Sequence, residues 1–197
     1  MTPDAPHLVI GITGASGAIY GIRLLEVLRD LGIHTHLVMS KSAHLTIAYE
    51  TSYSLEDVRN LAGTCHSPQD MAASISSGSF KTLGMIISPC SMRSMGEIAS
   101  CVTTSLLTRA ADVTLKERRR LVLMVRETPL HAGHLEQMHK LALMGAIIAP
   151  PVPAFYSNPD TLMDMVNHTV GRVLDLYDIS HPLVKRWDGK HKNVNNV

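Results

Sequence analysis

Hydrophobic residues fall into short unbroken runs separated by longer stretches of helical period. His7–Thr13 (HLVIGIT), Thr35–Met39 (THLVM), Gly84–Ser88 (GMIIS), Leu121–Val125 (LVLMV) and Ala146–Ala149 (AIIA) lack strict polar alternation. Runs of this kind are strands buried on both faces by helices. Ile22, Leu24, Leu25, Val27, Leu28 and Leu31 recur at core spacing on a first helix, which Gly32 stops. Further helices are predicted over Lys41–Glu50, with Ser40 as N-cap, and over Met95–Cys101, Ser105–Glu117, Gly133–Met144 and Thr161–Leu176. The order strand, helix, strand implies parallel pairing in a doubly wound α/β sheet. The polar stretch Thr64–Thr82 reads as a long connection, which in a compact domain is more often functional than decorative.

Composition narrows this to one domain. With 197 residues, 45% hydrophobic and 18% charged, there is little room for a second core. The expectation is a single Rossmann-like (flavodoxin-like) three-layer α/β domain over residues 1–187, followed by a polar tail, 188–197, that frays. Lys+Arg 18 against Asp+Glu 17 leaves a net charge of +1, so no global field attracts a polyanion and any anion site is local. Aromatic residues make up only 4%, which argues against base-stacking platforms and leaves the core to aliphatic residues and 11 Met. Cys65, Cys90 and Cys101 lack Cys-x-x-Cys spacing, and no basic, apolar leader is evident, so a reduced cytoplasmic setting is expected. The apolar runs fall far short of the ~20 residues that span a bilayer.

Candidate chemistry gathers at the carboxyl ends of the strands. Gly14-Ala15-Ser16-Gly17 joins the first strand to the first helix, where backbone N–H groups and the Ser16 hydroxyl can face a phosphate. The spacing Gly11-x-x-Gly14-x-x-Gly17 departs from the dinucleotide pattern, and Ser40 stands where an acidic ribose ligand would close the second strand, so a mononucleotide is favoured. An ordinary tight turn is the bland alternative. Ser88-Pro89-Cys90-Ser91-Met92-Arg93-Ser94 follows the next strand at the same edge; no Lys or His adjoins Cys90, so a packing thiol is the better reading than a nucleophile. Arg109 and Lys116, two helical turns apart, share a face that can present two cations to one anion, unless each pairs within its helix with Asp112 and Glu117. Arg126-Glu127 follows the strand Leu121–Val125 as a ligand-edge pair or a structural salt bridge. Pro150–Tyr156 is a stiff segment able to present the Tyr156 hydroxyl, or simply a rigid loop. His131-x-x-His134 lacks the spacing and glutamate of a zinc helix, so no metal is expected, and no Gly-x-Ser-x-Gly elbow occurs.

Taken together, Ile10–Ala18, Ser88–Ser91, Leu107–Val113, Lys116–Arg119, Val125–Pro129 and Pro153–Tyr156 resemble the UbiX-type flavin prenyltransferases, formerly called aromatic or hydroxyarylic acid decarboxylase subunits, over nearly the whole chain. The resemblance implies transfer of the dimethylallyl group of dimethylallyl phosphate to reduced FMN, through bonds at N5 and C6, without a metal. The prenylated FMN product would serve a separate decarboxylase. It further implies that Gly14, Ala15, Ser16, Ser40, Ser91, Met92, Arg93, Ser94 and Arg126 hold the flavin, and that Arg109, Lys116, Tyr156 and Arg172 surround the allyl phosphate. Lys116, Arg109 and Arg172 would stabilise departing phosphate, with Glu127 as a proton acceptor and Ser16 as a relay. Some members carry a tryptophan where this chain has Met71, so a thioether rather than a ring would wall the allyl pocket. A trimer-based homo-oligomer, a dodecamer, with sites between subunits is also implied. The alternative from another class is a non-catalytic FMN-binding or cofactor-delivery subunit; a cysteine decarboxylase lacks its Asn-containing motif here.

Overall fold

The computed structural model describes residues 6–184 and 186. The expected tail, 188–197, lies outside the described residues. Six strands, β1 (His7–Ile12), β2 (His34–Met39), β3 (Thr64–His66), β4 (Gly84–Cys90), β5 (Arg120–Val125) and β6 (Ala146–Ile148), pair in the order β3-β2-β1-β4-β5-β6. Every pairing is parallel. Seven helices are described: α1 (Ala18–Asp30), α2 (Lys41–Glu50), α3 (Leu55–Leu61), α4 (Met92–Ala99), α5 (Leu106–Lys116), α6 (Ala132–Leu143) and α7 (Leu162–Asp175). No helix among the described residues is long and apolar enough to cross a membrane.

Two compact units divide the chain between Val152 and Pro153. The first holds the whole sheet and α1 to α6. Every residue of β4 is buried, as its unbroken apolar run requires. On one face Val9, Val38, Met85, Ile87, Leu121 and Leu123 form a core with Met95 and Ile98 of α4, Leu107, Ala110 and Ala111 of α5, and Leu141 of α6. On α1, Gly21 lies so close to the sheet that an added Cβ would come 2.3 Å from the Ser88 carbonyl oxygen. The absence of a side chain there lets the helix pack directly on the carboxyl end of β4. The second unit contains a short 3-10 turn, Phe155–Ser157, and α7, which begins with a capping box between Thr161 and Asp164.

Three local expectations need correction. Helix α4 starts at Met92, not Met95, because the Ser91 side chain accepts a hydrogen bond from the Ser94 N–H and caps it there. The Ser91–Ser94 segment is therefore a capped first turn rather than a loop. The long connection Thr64–Thr82 includes β3 and a 3-10 turn at Ser74–Ser76. Helix α3 is an addition, opened by a reciprocal capping box between Ser54 and Asp57.

Candidate functional site

The strand order reverses between β1 and β4, and in a doubly wound sheet ligands bind in the crevice outside the carboxyl ends at such a switch point. Three caps converge there. Ser40 accepts from the Ala43 N–H to start α2, Ser91 starts α4, and Ser105 starts α5 with Thr108 in a capping box. Between them opens a cavity of about 660 Å³, within the usual range for small-molecule sites. Gly14, Ser40, Ser91, Arg93 and Ser94 line it, together with Ser42, Ser105 and Thr108. At Gly14 a Cβ would approach the Ser42 Oγ to 2.3 Å, so the backbone turn can stand this close to α2 only as glycine.

The crevice floor is tied by a residue that the pattern of motifs did not single out. Thr13, fully buried, donates from Oγ1 to the Pro89 carbonyl at 2.7 Å and accepts the Ser91 N–H at 2.8 Å. One hydroxyl thus joins the end of β1 to the start of α4, across the switch point.

The glycine turn itself is arranged differently from the phosphate reading. Glu50, the last residue of α2, accepts the Gly17 N–H at 2.7 Å and the Ala18 N–H at 3.3 Å, so the protein's own carboxylate sits at the amino terminus of α1. Partial burial pushes this carboxyl up, but hydrogen bonds from Ser16, Gly17 and Ala18 and the charge of Arg126 outweigh it and hold the group below its ordinary value. An anionic ligand at these two amides would have to displace Glu50, which leaves the hydroxyl-lined side of the crevice as the open position. Nothing in the sequence relates positions 17 and 50; the contact exists only because α1 and α2 pack together.

Arg126 is exposed beyond β5, its N–H donating to the Cys90 carbonyl at 3.1 Å, and Glu127 is exposed with its carboxylate on the Thr128 N–H at 3.0 Å. Arg93 pairs with Glu97 at 2.9 Å. Met92 packs against the core, and neither it nor Ala15, Ser16 or Arg126 lines the cavity. Burial pushes the Cys90 thiol up to about 12, so it is a packing residue with no nucleophilic thiolate.

Within this chain both α5 cations pair with nearby carboxylates. Arg109 reaches Asp112 at 2.9 Å, and Lys116 pairs with Glu117. Arg109, together with Arg119 beyond the end of α5, nevertheless grips the connection after β3. Arg109 donates to the Ser76 carbonyl at 3.2 Å, and Arg119 donates to the Gly78 and Phe80 carbonyls at 2.7 Å each. Neither Arg109 nor Lys116 lines the cavity. Met71, on this connection, is exposed. In the second unit the Tyr156 hydroxyl lies 3.1 Å from His168 Nε2, and Arg172 pairs with Asp175, a carboxylate shared with His181 and Arg186.

Residues 2–187 match the family model described as Flavoprotein. A "Flavin prenyltransferase UbiX" of Escherichia coli (strain K12) is 59% identical over 186 residues, 93% of this chain and 98% of that one. The chain belongs to the UbiX-like flavin prenyltransferase family. Among solved structures, AnUbiX (PadA1) in complex with FMN and dimethylallyl pyrophosphate superposes with a TM-score of 0.93 at 49% identity, covering 95% of this chain and 100% of that one. A dodecameric FMN-dependent Ubix-like decarboxylase from Escherichia coli O157:H7 gives 0.91 at 52% identity, covering 93% and 100%. Peptidyl-cysteine decarboxylase EpiD, at 15% identity and a TM-score of 0.64, shares the fold alone.

Proposed function

We propose that this chain is a flavin prenyltransferase that moves the dimethylallyl group of an allylic phosphate onto reduced FMN. The observation that carries the reading is the hydroxyl-lined crevice at the switch point of a chain that is 59% identical over 186 residues to a flavin prenyltransferase. Its residues fit FMN: small side chains and a side-chain-free Gly14 admit a close backbone approach, and Ser40, Ser42 and Ser91 offer hydroxyls for a phosphate and a polyol. Gly14, Ser40, Ser91, Arg93 and Ser94 are the holding residues, with Ala15, Ser16, Met92 and Arg126 contributing backbone or charge nearby. Reduced FMN supplies the electron-rich N5 and C6 positions that take the allyl carbons.

The side chains have the remaining work of ionising an allylic phosphate and moving protons. Arg109, Lys116 and Arg172 supply positive charge for the leaving phosphate, and the Tyr156 hydroxyl donates a hydrogen bond to it. Asp112, Glu117 and Asp175 hold these three cations in place, so phosphate has to compete with a carboxylate for each. Glu50, kept ionised and bonded to Ser16, is better placed to accept a proton by way of that hydroxyl than Glu127, whose carboxylate lies on the Thr128 N–H. That neither Arg109 nor Lys116 lines the crevice supports completion of the site by a neighbouring copy in a trimer-based assembly, a dodecamer as the related decarboxylase is. The product serves a separate aromatic acid decarboxylase, and the free thiols Cys65, Cys90 and Cys101 suit a reducing, cytoplasmic setting.

Anaerobic incubation of the purified chain with reduced FMN and dimethylallyl phosphate, and in parallel dimethylallyl pyrophosphate, tests this. The expected outcome is FMN heavier by one C5H8 unit with one of the two donors. FMN that binds and remains unmodified with both donors would favour the delivery-subunit reading instead.

A further inference from the structure

The opposite end of the sheet carries a cluster that prenyl transfer does not use. His7 begins β1 and His34 begins β2, and parallel pairing sets them side by side, with His36 opposite Val9 one step along. All three project on the face that continues into the core lined by Val9 and Val38, because residues two apart in a strand share a face. One ring nitrogen from each lies within 4.8 Å of the others. His7 Nδ1 and His36 Nε2 are only 3.0 Å apart. His36 is buried, and His7 and His34 are half-buried, which leaves an approach from the rim.

We propose that His7, His34 and His36 form a binding site for one late divalent transition-metal ion of the zinc class. Three neutral imidazoles with an open fourth position are a common donor set for such ions. Metal–nitrogen bonds of 2.0–2.1 Å require ligand atoms spaced about 3.3 Å apart. The His7–His36 pair, 3.0 Å apart, is already near that spacing, and the third ring, within 4.8 Å, has to close by up to about 1.5 Å.

The surroundings supply the outer contacts that a histidine site needs. His36 Nδ1 meets His66 Nε2 at 3.0 Å, and Thr64 Oγ1 meets His34 Nε2 at 2.9 Å, so both β2 rings are held from β3. Phe80 packs edge-on against His7 and His36, at 5.2 Å between centroids, and covers the cluster. With the His36 Nδ1–H donating to His66, His36 Nε2 carries a lone pair and His7 Nδ1 carries the proton between them. Metal binding then shifts that His7 proton to its own Nε2, with no change in charge on either ring. An ion here would clip β1 to β2 at the amino-terminal edge, away from the flavin crevice.

Zinc titrated calorimetrically into the metal-stripped chain, with cobalt as a spectroscopic probe, tests the site. The expected result is one ion per chain, a raised Tm and a four-coordinate cobalt spectrum. His66→Gln should weaken binding by roughly 10- to 100-fold, and His34→Gln should weaken it further. The double variant H131N/H134N, which removes the stacked pair at the start of α6, should bind as the parent does. Stoichiometry well below one, or binding that survives His34→Gln or disappears in H131N/H134N, would overturn the proposal. Circular dichroism confirms that each variant is folded, and His7→Gln on the strand's first residue provides a second reading should His34→Gln fail to fold.

Discussion

Replacing Thr13 with valine isolates the hydroxyl that ties the two sides of the crevice. Valine keeps the shape and the fully buried environment, so neither cavity nor overpacking contributes. The bond from Oγ1 to the Pro89 carbonyl is lost, but that oxygen keeps the Thr13 N–H at 3.2 Å, so this term is about 1 kcal/mol. The Ser91 N–H is less fortunate. Its acceptor at 2.8 Å disappears, and a half-buried donor left unpaired costs about 1–3 kcal/mol. The sum is a loss of about 2–4 kcal/mol, read as a lower urea midpoint with an unchanged m-value. Thr13→Ser keeps both bonds and loses one methyl group, so it should cost only about 1 kcal/mol. Because Ser91 starts α4 at the crevice wall, FMN should also bind more weakly to the valine variant, measured by fluorescence quenching. A valine variant within about 0.5 kcal/mol of the parent, or a serine variant as unstable as the valine one, would refute the tie.

Glu50→Gln keeps a hydrogen-bond acceptor at the start of α1 but removes the charge; the site is exposed, so stability should fall by less than about 1 kcal/mol, whereas prenylated FMN should form at least about tenfold more slowly. The Glu50 carboxyl is held below its ordinary value, so its contribution is present above pH 4.5 and is lost as pH falls; the Gln variant should lack that acid dependence in urea titrations. Arg109→Ala and Lys116→Ala should raise the KM for the allylic phosphate while FMN affinity, followed by fluorescence, stays near the parent value; equal loss of both would remove them from phosphate binding. His36 is held near 4 by burial and by His66, His34 and His7, with Asp70 acting on His66 from outside, so the folded chain resists protonation more than the unfolded one. Stability is then full above pH 6.5 and declines toward pH 4, by up to about 3 kcal/mol, and His36→Gln should flatten that decline.

What was legible in the sequence follows the range over which each interaction acts. Strands and caps are local. Runs such as Leu121–Val125 and cap serines such as Ser40 announce themselves within a few residues, and the box of Ser54 with Asp57 before α3 is equally local. Arg109 with Asp112 is local too, three residues apart on one helix face, so their pairing is legible in the spacing alone. Glu50 and the histidine trio are not local. The first depends on α2 returning its last residue to the turn before α1, 33 positions away. The second depends on β1 and β2 being neighbours in a register that sets His7 against His34. Histidines at 34 and 36 share a strand face by period alone, but only the pairing decides whether that face meets solvent, an aliphatic core or another histidine. The sequence therefore marks the flavin edge by its turn and cap chemistry, while the charges and rings that would act there or at the opposite edge are assembled by topology.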